Sequence, residues 1–252
     1  MPIKSFIKKI GGQSSARNRG IEEATGEWLV ILDSDDTIQK DYLKCMYQAT
    51  QLNDVEVVIC DINHVYEENI FEETERINKS ETKIGKEFFQ DFIMHKISIG
   101  PVSLMINRKF LQAINLHFNE TSRYSEEFIF ITDLLYNANQ VTHIQEKLYN
   151  YCLHSGSVST GANLEKITNG YKQIEIYSEK YKNESNPYAI TYNKYALSRW
   201  ILATARFTAS NLMYKDYKKL MKQLNVKKKV KKLFTFPELK IKIATIVFLI
   251  SM

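Results

Sequence analysis

Residues 1–162 alternate between segments with the apolar spacing of strands and segments with that of helices. Residues 28–32 form a continuous apolar run before an acidic stretch, which is typical of a strand buried on both faces. Alternating segments of this kind predict an α/β fold with a mostly parallel sheet. The predicted strands cover 28–32, 55–60, 103–106, 141–144 and 148–151, the predicted helices cover 13–24, 41–52, 86–94 and 108–114, and 63–82 is a polar excursion or hairpin.

Residues after about position 164 lack strand patterns and predict a helical region. Its predicted helices cover 167–181 and 192–213, with the polar loop 182–187 between them. The chain therefore divides into an α/β domain at 1–162, a helical appendage at 163–225, and a basic tail with a short apolar end at 226–252.

The tail concentrates the positive charge of a chain whose formal net charge is +5. Lysines crowd residues 222–232, and residues 243–250 are nearly all apolar. Eight apolar residues are too few to span a bilayer, which takes about 20. Two interpretations remain open: peripheral contact with the inner face of the cell membrane, or a solvated basic helix that leads to a buried terminus.

Cysteine usage and the first residues predict a cytoplasmic location. The cysteines are Cys45, Cys60 and Cys152, an odd number without a Cys-x-x-Cys pair, which argues against a disulfide framework and a zinc site. The first residues also lack the pattern of a signal peptide.

Three aspartates follow the apolar run of 28–32. Asp33, Asp35 and Asp36 should project from the carboxyl end of that strand, where ligands bind in open α/β sheets. Grouped carboxylates suit Mg²⁺ or Mn²⁺, which leave positions open for substrate phosphates. The alternative is an acidic turn that caps the next helix.

The residues around these aspartates carry a longer motif. It resembles that of the nucleotide-sugar-dependent glycosyltransferases of family 2, which have the GT-A fold. The resemblance implies a Rossmann-like, partial GT-A domain followed by helices, with Asp33 and Asp35 at the metal and the sugar nucleotide and Arg17 at the nucleotide. The motif runs through Gly11, Gly12, Ser14, Ala16, Arg17, Asn18, Gly20, Ala24, Thr25, Gly26, Glu27, Asp33 and Asp35.

A second match lies at 118–120 and 124–130 and resembles the Gly-Glu-Asp-x-x-Phe element of the family. The resemblance places Glu126 at the Glu position and Glu127 at the position of the general base. Two departures stand out: Ser125 replaces the usual glycine, and Glu127 is one methylene longer than aspartate. Acidic residues in the first turn of a helix also stabilise its dipole, which is the structural alternative.

A third match at 148–159 resembles the closing signature of the family, an apolar strand followed by His-x-x-Ser-x-Ser. In several relatives this histidine helps to bind the metal or the diphosphate, a role that falls on His154 here. The loop around His154 supplies hydroxyl and backbone donors suited to a phosphate. The remaining histidines, which are interpreted as structural, are His64, His95, His117 and His143.

The resemblance implies a glycosyltransferase that uses Mn²⁺ or Mg²⁺ and a nucleotide-diphosphate sugar, most simply a UDP-sugar. The implied acceptor is a glycan or lipid-linked hydroxyl in bacterial cell-surface glycan synthesis, such as teichoic acid, capsule or exopolysaccharide.

The resemblance begins near residue 10 and lacks the amino-terminal third of the family, so we expect a fragment, inactive alone, or a second chain that completes it. The alternative is a non-catalytic remnant or a module that binds a membrane or another polyanion. Nucleic-acid binding is a weaker form of this alternative, and we expect no nucleic-acid partner, because the lysine run lacks interleaved arginine and aromatic residues.

Overall fold

The computed structural model describes residues 11–52, 54–66, 79–122, 125–153, 164–209 and 214–251. The strands are β1 (Trp28–Val30), β2 (Thr37–Ile38), β3 (Val57–Tyr66), β4 (Ser80–Lys83), β5 (Leu104–Asn107) and β6 (Val141–Leu153). The helices are α1 (Gly12–Glu23), α2 (Tyr42–Thr50), α3 (Gly85–Ile93), α4 (Arg108–Ala113), α5 (Glu126–Asn137), α6 (Leu164–Lys180), α7 (Pro187–Ala209), α8 (Tyr214–Gln223), α9 (Lys227–Val230) and α10 (Leu239–Ser251), with 3-10 helices at Pro101–Ser103 and Lys231–Thr235. The predicted α/β fold is confirmed.

The sheet is mixed, so the prediction of a mostly parallel sheet is wrong in this respect. β5 lies antiparallel between β1 and β3, with Ile106 opposite both Leu29 and Val57. Among the described strands, only β3 and β6 pair in parallel, with Val57 opposite Val141. β1 and β3 run in the same direction. β5 lies between them, runs in the opposite direction and forms antiparallel hydrogen bonds with both. Apolar runs do not reveal strand direction, which is why the pattern could not show this.

β1 ends the order of the described strands, β1-β5-β3-β6-β2. Its three residues are half-buried rather than buried on both faces, contrary to the prediction for 28–32. The strand is also shorter than predicted, because Ile31 and Leu32 already belong to the loop that carries the aspartates.

β6 is one long strand where the sequence predicted two strands around a turn. Its pairing with β3 shifts between Ile144, which lies opposite Cys60, and Lys147, which lies opposite Asp61. The polar residues between them form a bulge, and the Gln145 N–H donates to the carbonyl of Lys79 (2.8 Å). β3 likewise continues past its predicted end at 60, because the second half of β6 gives it a partner.

Each face of the sheet packs against its own group of helices. On one face, Tyr42 and Met46 of α2 pack against Val58, Cys60 and Tyr149. On the other face, Val57, Ile59 and Val141 join a larger core formed with α3, α5, α6 and α7. Alternate strand residues thus point to opposite cores, as strand geometry requires.

Aromatic side chains connect the helices of the larger core. Phe89 of α3 lies 5.2 Å from Tyr136 of α5 and 6.0 Å from Tyr192 of α7, between ring centroids. Tyr181, just after α6, lies 5.0 Å from Tyr192. The helical region therefore packs directly on the helices that cover the sheet. The domain boundaries after 162 and after 225 stay a prediction.

α7 begins five residues before the predicted start at 192. Pro187 occupies its first turn, where a fixed φ and a missing N–H are tolerated. The Asn186 side chain accepts from the N–H of Ala189 (2.9 Å) and so caps the helix. The end predicted at 213 lies outside the described residues.

Candidate active site

The loop after β1 carries the predicted carboxylates and is held against β6 by the last of them. The Asp36 carboxylate accepts from the Tyr149 hydroxyl (2.6 Å) and from the N–H of Cys152 (2.9 Å). Asp35 is exposed, and the Asp33 side chain retains 28% of its accessible surface. Asp36 therefore holds the loop in place, while Asp33 and Asp35 remain accessible.

Tyr149 supports this loop and was missed by sequence reasoning. Its buried hydroxyl donates to Asp36 and accepts from the N–H of Asp33 (3.3 Å). Burial and the bonded Asp36 carboxylate raise the pKa of Tyr149, so the hydroxyl keeps its proton at neutral pH. The signal in the sequence was the pair of tyrosines in the predicted strand 148–151, which did not reveal the partner.

Arg17 joins the aspartate loop to the predicted base. Its Nη1 lies 2.6 Å from Oε1 of Glu127, and its Nη2 lies 3.1 Å from Oδ1 of Asp33. The arginine side chain is only 6% exposed. Burial opposes its charge, but the Glu127 and Asp33 carboxylates outweigh burial and raise the pKa of Arg17. Residues from two separate motifs, Arg17 and Asp33 from the first and Glu127 from the second, thus form one charged cluster.

Helix α1 presents Arg17 to this cluster. The helix begins at Gly12, whose φ of 77° lies in the left-handed region that favours glycine. The next residue after the arginine, Asn18, accepts from the N–H of Phe118 (2.8 Å) and donates to the carbonyl of Phe118 (2.8 Å). The Phe118 ring lies 5.4 Å from the Arg17 guanidinium and stacks on Phe130. The sequence analysis placed Asn18 in the motif without a role. The structure shows that it holds the segment around Phe118 beside Arg17.

The two predicted acidic residues at the start of α5 have different surroundings. The Glu127 side chain is 42% exposed and reaches Arg17. Glu126 is buried, and burial, together with the nearby Glu127 charge, raises its pKa. The accessible carboxylate is thus Glu127, whereas Glu126 points into the protein.

Ser125, which replaces the usual glycine of the family element, has a φ of 68°. A residue with a side chain pays an energetic penalty in this left-handed region, typically about 1–2 kcal/mol. The serine hydroxyl lies against α6, where a side chain added at Gly170 would come within 2.6 Å of the Ser125 Oγ and of the Trp200 ring. The helical region therefore contacts the residue immediately before the predicted acidic pair.

A separate polar cleft of about 450 Å³ lies where β3, β4 and β6 meet the end of α3. His143 lies in it, with its Nε2 2.8 Å from Asp61 Oδ1. His143 is thus hydrogen-bonded, as its structural interpretation predicted. The cleft includes part of the predicted excursion, of which 67–78 lie outside the described residues. Its lining includes Asp61, His64, Glu81, Lys96, His143 and Lys147.

The structure brings together Arg17, Asp33 and Glu127 and leaves Asp35 exposed beside them. His154, predicted to bind the metal or diphosphate, lies outside the described residues. Within the described part of the chain, no group of three or more His, Cys, Asp or Glu side chains is arranged to hold a metal ion. A cation at Asp33 and Asp35 would therefore depend on further donors, such as substrate phosphates.

Comparison with known proteins finds a family similar to the first part of the chain. The model of a family described as glycosyl transferase family 2 matches residues 2–114. In this part the chain is similar to glycosyltransferase family 2. The match covers the α1 motif and the aspartate loop and ends before Glu127.

Curated relatives agree with this assignment. Succinoglycan biosynthesis protein ExoO of Rhizobium meliloti (strain 1021) is 24% identical over 176 residues, which is 68% of this chain and 50% of the relative. The putative glycosyltransferase EpsH of Bacillus subtilis (strain 168) is 23% identical, over 77% of this chain and 60% of the relative. The chain spans about half the length of the curated relatives it matches.

A solved structure supports the fold beyond the matched segment. The crystal structure of S. aureus TarS residues 1–349 in complex with UDP-GlcNAc superposes with a TM-score of 0.58 at 19% identity. The superposition covers 81% of this chain and 56% of that one. The α/β part of the chain and its helical region therefore share the overall GT-A architecture of TarS.

Proposed function

We propose that this protein transfers a sugar from a nucleoside diphosphate donor to a hydroxyl acceptor in the synthesis of a bacterial cell-surface glycan. The observation that carries the proposal is the cluster of Arg17, Asp33 and Glu127, which joins a donor-binding loop to an accessible carboxylate. The UDP-GlcNAc held by TarS supports a UDP-sugar as donor. The relative named for succinoglycan biosynthesis supports an exopolysaccharide product.

Asp35 and Asp33 are the residues that would hold Mn²⁺ or Mg²⁺. Two carboxylates fit such a cation, because Mg²⁺ in enzymes is commonly bound by one or two carboxylates together with waters and substrate phosphates. When bound, the cation would neutralise charge on the departing diphosphate. Asp36 has a different role, since the hydrogen bonds that its two oxygens accept from β6 fix the loop that carries Asp33 and Asp35.

Glu127 is the proposed general base. Arg17 holds its Oε1 at 2.6 Å, and Oε2 has no hydrogen-bond partner among the described residues. Oε2 would take the proton of the acceptor hydroxyl as the acceptor oxygen bonds to the anomeric carbon. The bond from that carbon to the diphosphate breaks in the same step, which inverts the anomeric configuration. A carboxylate is needed because a neutral hydroxyl is a weak nucleophile.

Two substitutions in the full chain test these roles separately. Donor binding is measured as the shift in Tm on adding UDP-GlcNAc with and without MnCl₂, and turnover is measured as UDP release with a bacterial glycan extract. Asp35→Ala should remove the manganese-dependent part of the shift. Glu127→Gln should keep the shift and lower UDP release about 10²- to 10⁴-fold.

Matched controls change the same residue types elsewhere on the surface. Asp216→Ala on α8 and Glu22→Gln on α1 alter exposed acidic residues and should leave both readouts unchanged. A manganese-dependent shift that persists in Asp35→Ala would contradict the metal-binding role. UDP release that Glu127→Gln leaves intact would contradict the assignment of the base.

A further inference from the structure

The outward face of α10 exposes large apolar side chains. Leu239 is 70% exposed, Val247 62% and Ile250 80%, and they share one side of the helix with Ile243 and Ile246. Their spacing of three and four residues places them on one stripe. The opposite side of α10 packs against the core through Phe248. The helix is therefore apolar on both sides, and only one side is covered among the described residues.

The described length of α10, Leu239–Ser251, is less than the thickness of a bilayer core. Its 13 residues extend about 20 Å, whereas the hydrocarbon core of a membrane is about 30 Å thick. Across the described part of the chain, no helix combines the length and apolar character of a membrane span. An apolar stripe of this length fits the interfacial layer of a bilayer, with the helix lying along the surface.

Exposed lysines lie on α9 and on the 3-10 helix Lys231–Thr235, and these two elements contact each other. Lys227, Lys228 and Lys231 are exposed and have no ion-pair partner among the described residues. The 3-10 helix that contains Lys231 contacts α10 directly. Phe234, in the same 3-10 helix, is 41% exposed.

We propose that the surface comprising the outer stripe of α10 with Lys227, Lys228 and Lys231 docks the protein on an anionic lipid bilayer. The apolar side chains would enter the boundary between headgroups and acyl chains, and the lysines would contact anionic headgroups. A neutral membrane offers the apolar contact but lacks the negative charge. A second copy of the chain is a poorer occupant, because stripe-to-stripe contact would bring two lysine clusters together. The proposal concerns a surface and does not depend on the transfer reaction.

Vesicle flotation with the full chain tests the proposal without any substrate. The protein should float with vesicles of phosphatidylcholine and phosphatidylglycerol in a 3:1 ratio and remain unbound with phosphatidylcholine alone. Val247→Asp with Ile250→Asp should weaken binding at least about a hundredfold, because two apolar anchors are lost. Lys228→Gln with Lys231→Gln should weaken it about thirtyfold.

Controls use similar residues outside this surface. Ile176→Asp on α6 changes an apolar side chain that is 64% exposed, and Lys44→Gln with Lys109→Gln removes two exposed charges. Both controls should bind within about twofold of the parent, as expected for residues outside the interface. The far-UV spectrum of each variant checks that it is folded.

Two outcomes would overturn the proposal. One is equal binding to neutral and anionic vesicles, or no binding to either. The other is a dimer in sedimentation equilibrium that Val247→Asp with Ile250→Asp dissociates while vesicle binding is absent, which would assign the stripe to a second copy. Neither outcome bears on sugar transfer, since the assays contain no donor.

Discussion

Replacing Asn18 with alanine tests how strongly α1 holds the segment around Phe118, which lies beside Arg17. The Asn18 amide bonds the N–H and the carbonyl of Phe118, both at 2.8 Å, and the two residues are 5% and 2% exposed. Alanine would leave two buried backbone groups without these partners, at about 1–3 kcal/mol each. Alanine also favours a helix by about 0.5 kcal/mol relative to asparagine. We therefore expect a loss of about 2–5 kcal/mol in the free energy of unfolding.

Thermal unfolding followed by far-UV circular dichroism measures this loss. The Tm of Asn18→Ala should fall by about 5–15 °C, since 1 kcal/mol corresponds to about 2–4 °C at this chain length. Asn137→Ala is the matched control, because exposed Asn137 only donates to the Asp133 carbonyl within its own helix. Its change should stay within about 0.5 kcal/mol. A Tm for Asn18→Ala as close to the parent as that of the control would refute the reasoning.

Two further predictions concern packing and pH. A Cβ at Gly85 would lie 2.5 Å from the carbonyl oxygen of Ala138 and would also collide with the carbonyl oxygen of Leu135. Gly85→Ala should therefore lower the Tm by about 5–10 °C. Gly20→Ala is the control: its Cβ would meet no atom within 4 Å, so the Tm should stay unchanged or rise in the same scan. Burial raises the pKa of Glu126 above its ordinary 4.5, so the folded state loses stability as pH rises past that value. Glu126→Gln should therefore have a higher Tm than the parent at pH 7, and the difference should vanish below pH 4.5; an equal difference at both pH values would contradict the burial argument.

The sequence predicted helices well where a local feature, such as acidic residues in the first turn, marks where the helix begins. α5 begins at Glu126, where the sequence analysis placed acidic residues in the first turn of a helix. The bulge in β6 was missed because Gln145 to Lys147 have the polarity of a turn, whereas their backbone stays extended against β3 and Lys79. The direction of β5 was equally hidden, since apolar residues pack alike in parallel and antiparallel strands.

The candidate site was predicted as separate motifs, and only the structure shows how they connect. Arg17 and Glu127 are separated by 110 positions in the chain, so no local pattern indicates their ion pair. The roles of Tyr149 and Asn18 were hidden for the same reason, because each acts through a partner far along the chain. Sequence patterns identify residue types suited to a chemistry, whereas their partners depend on how the sheet and helices bring distant segments together.

The buried rings of Phe89, Tyr181 and Tyr192 have a practical consequence for handling the protein in pieces. Each ring is fully enclosed, and part of the enclosure comes from helices after residue 163. A shortened polypeptide that stops before α6 would expose the Phe89 ring to solvent. Exposed apolar surface of this kind promotes aggregation, so the polypeptide should accumulate in inclusion bodies during expression. Screens for a smaller soluble form should keep α6 and α7, or should replace the apolar residues of α3 that would become exposed, such as Phe89, with polar ones.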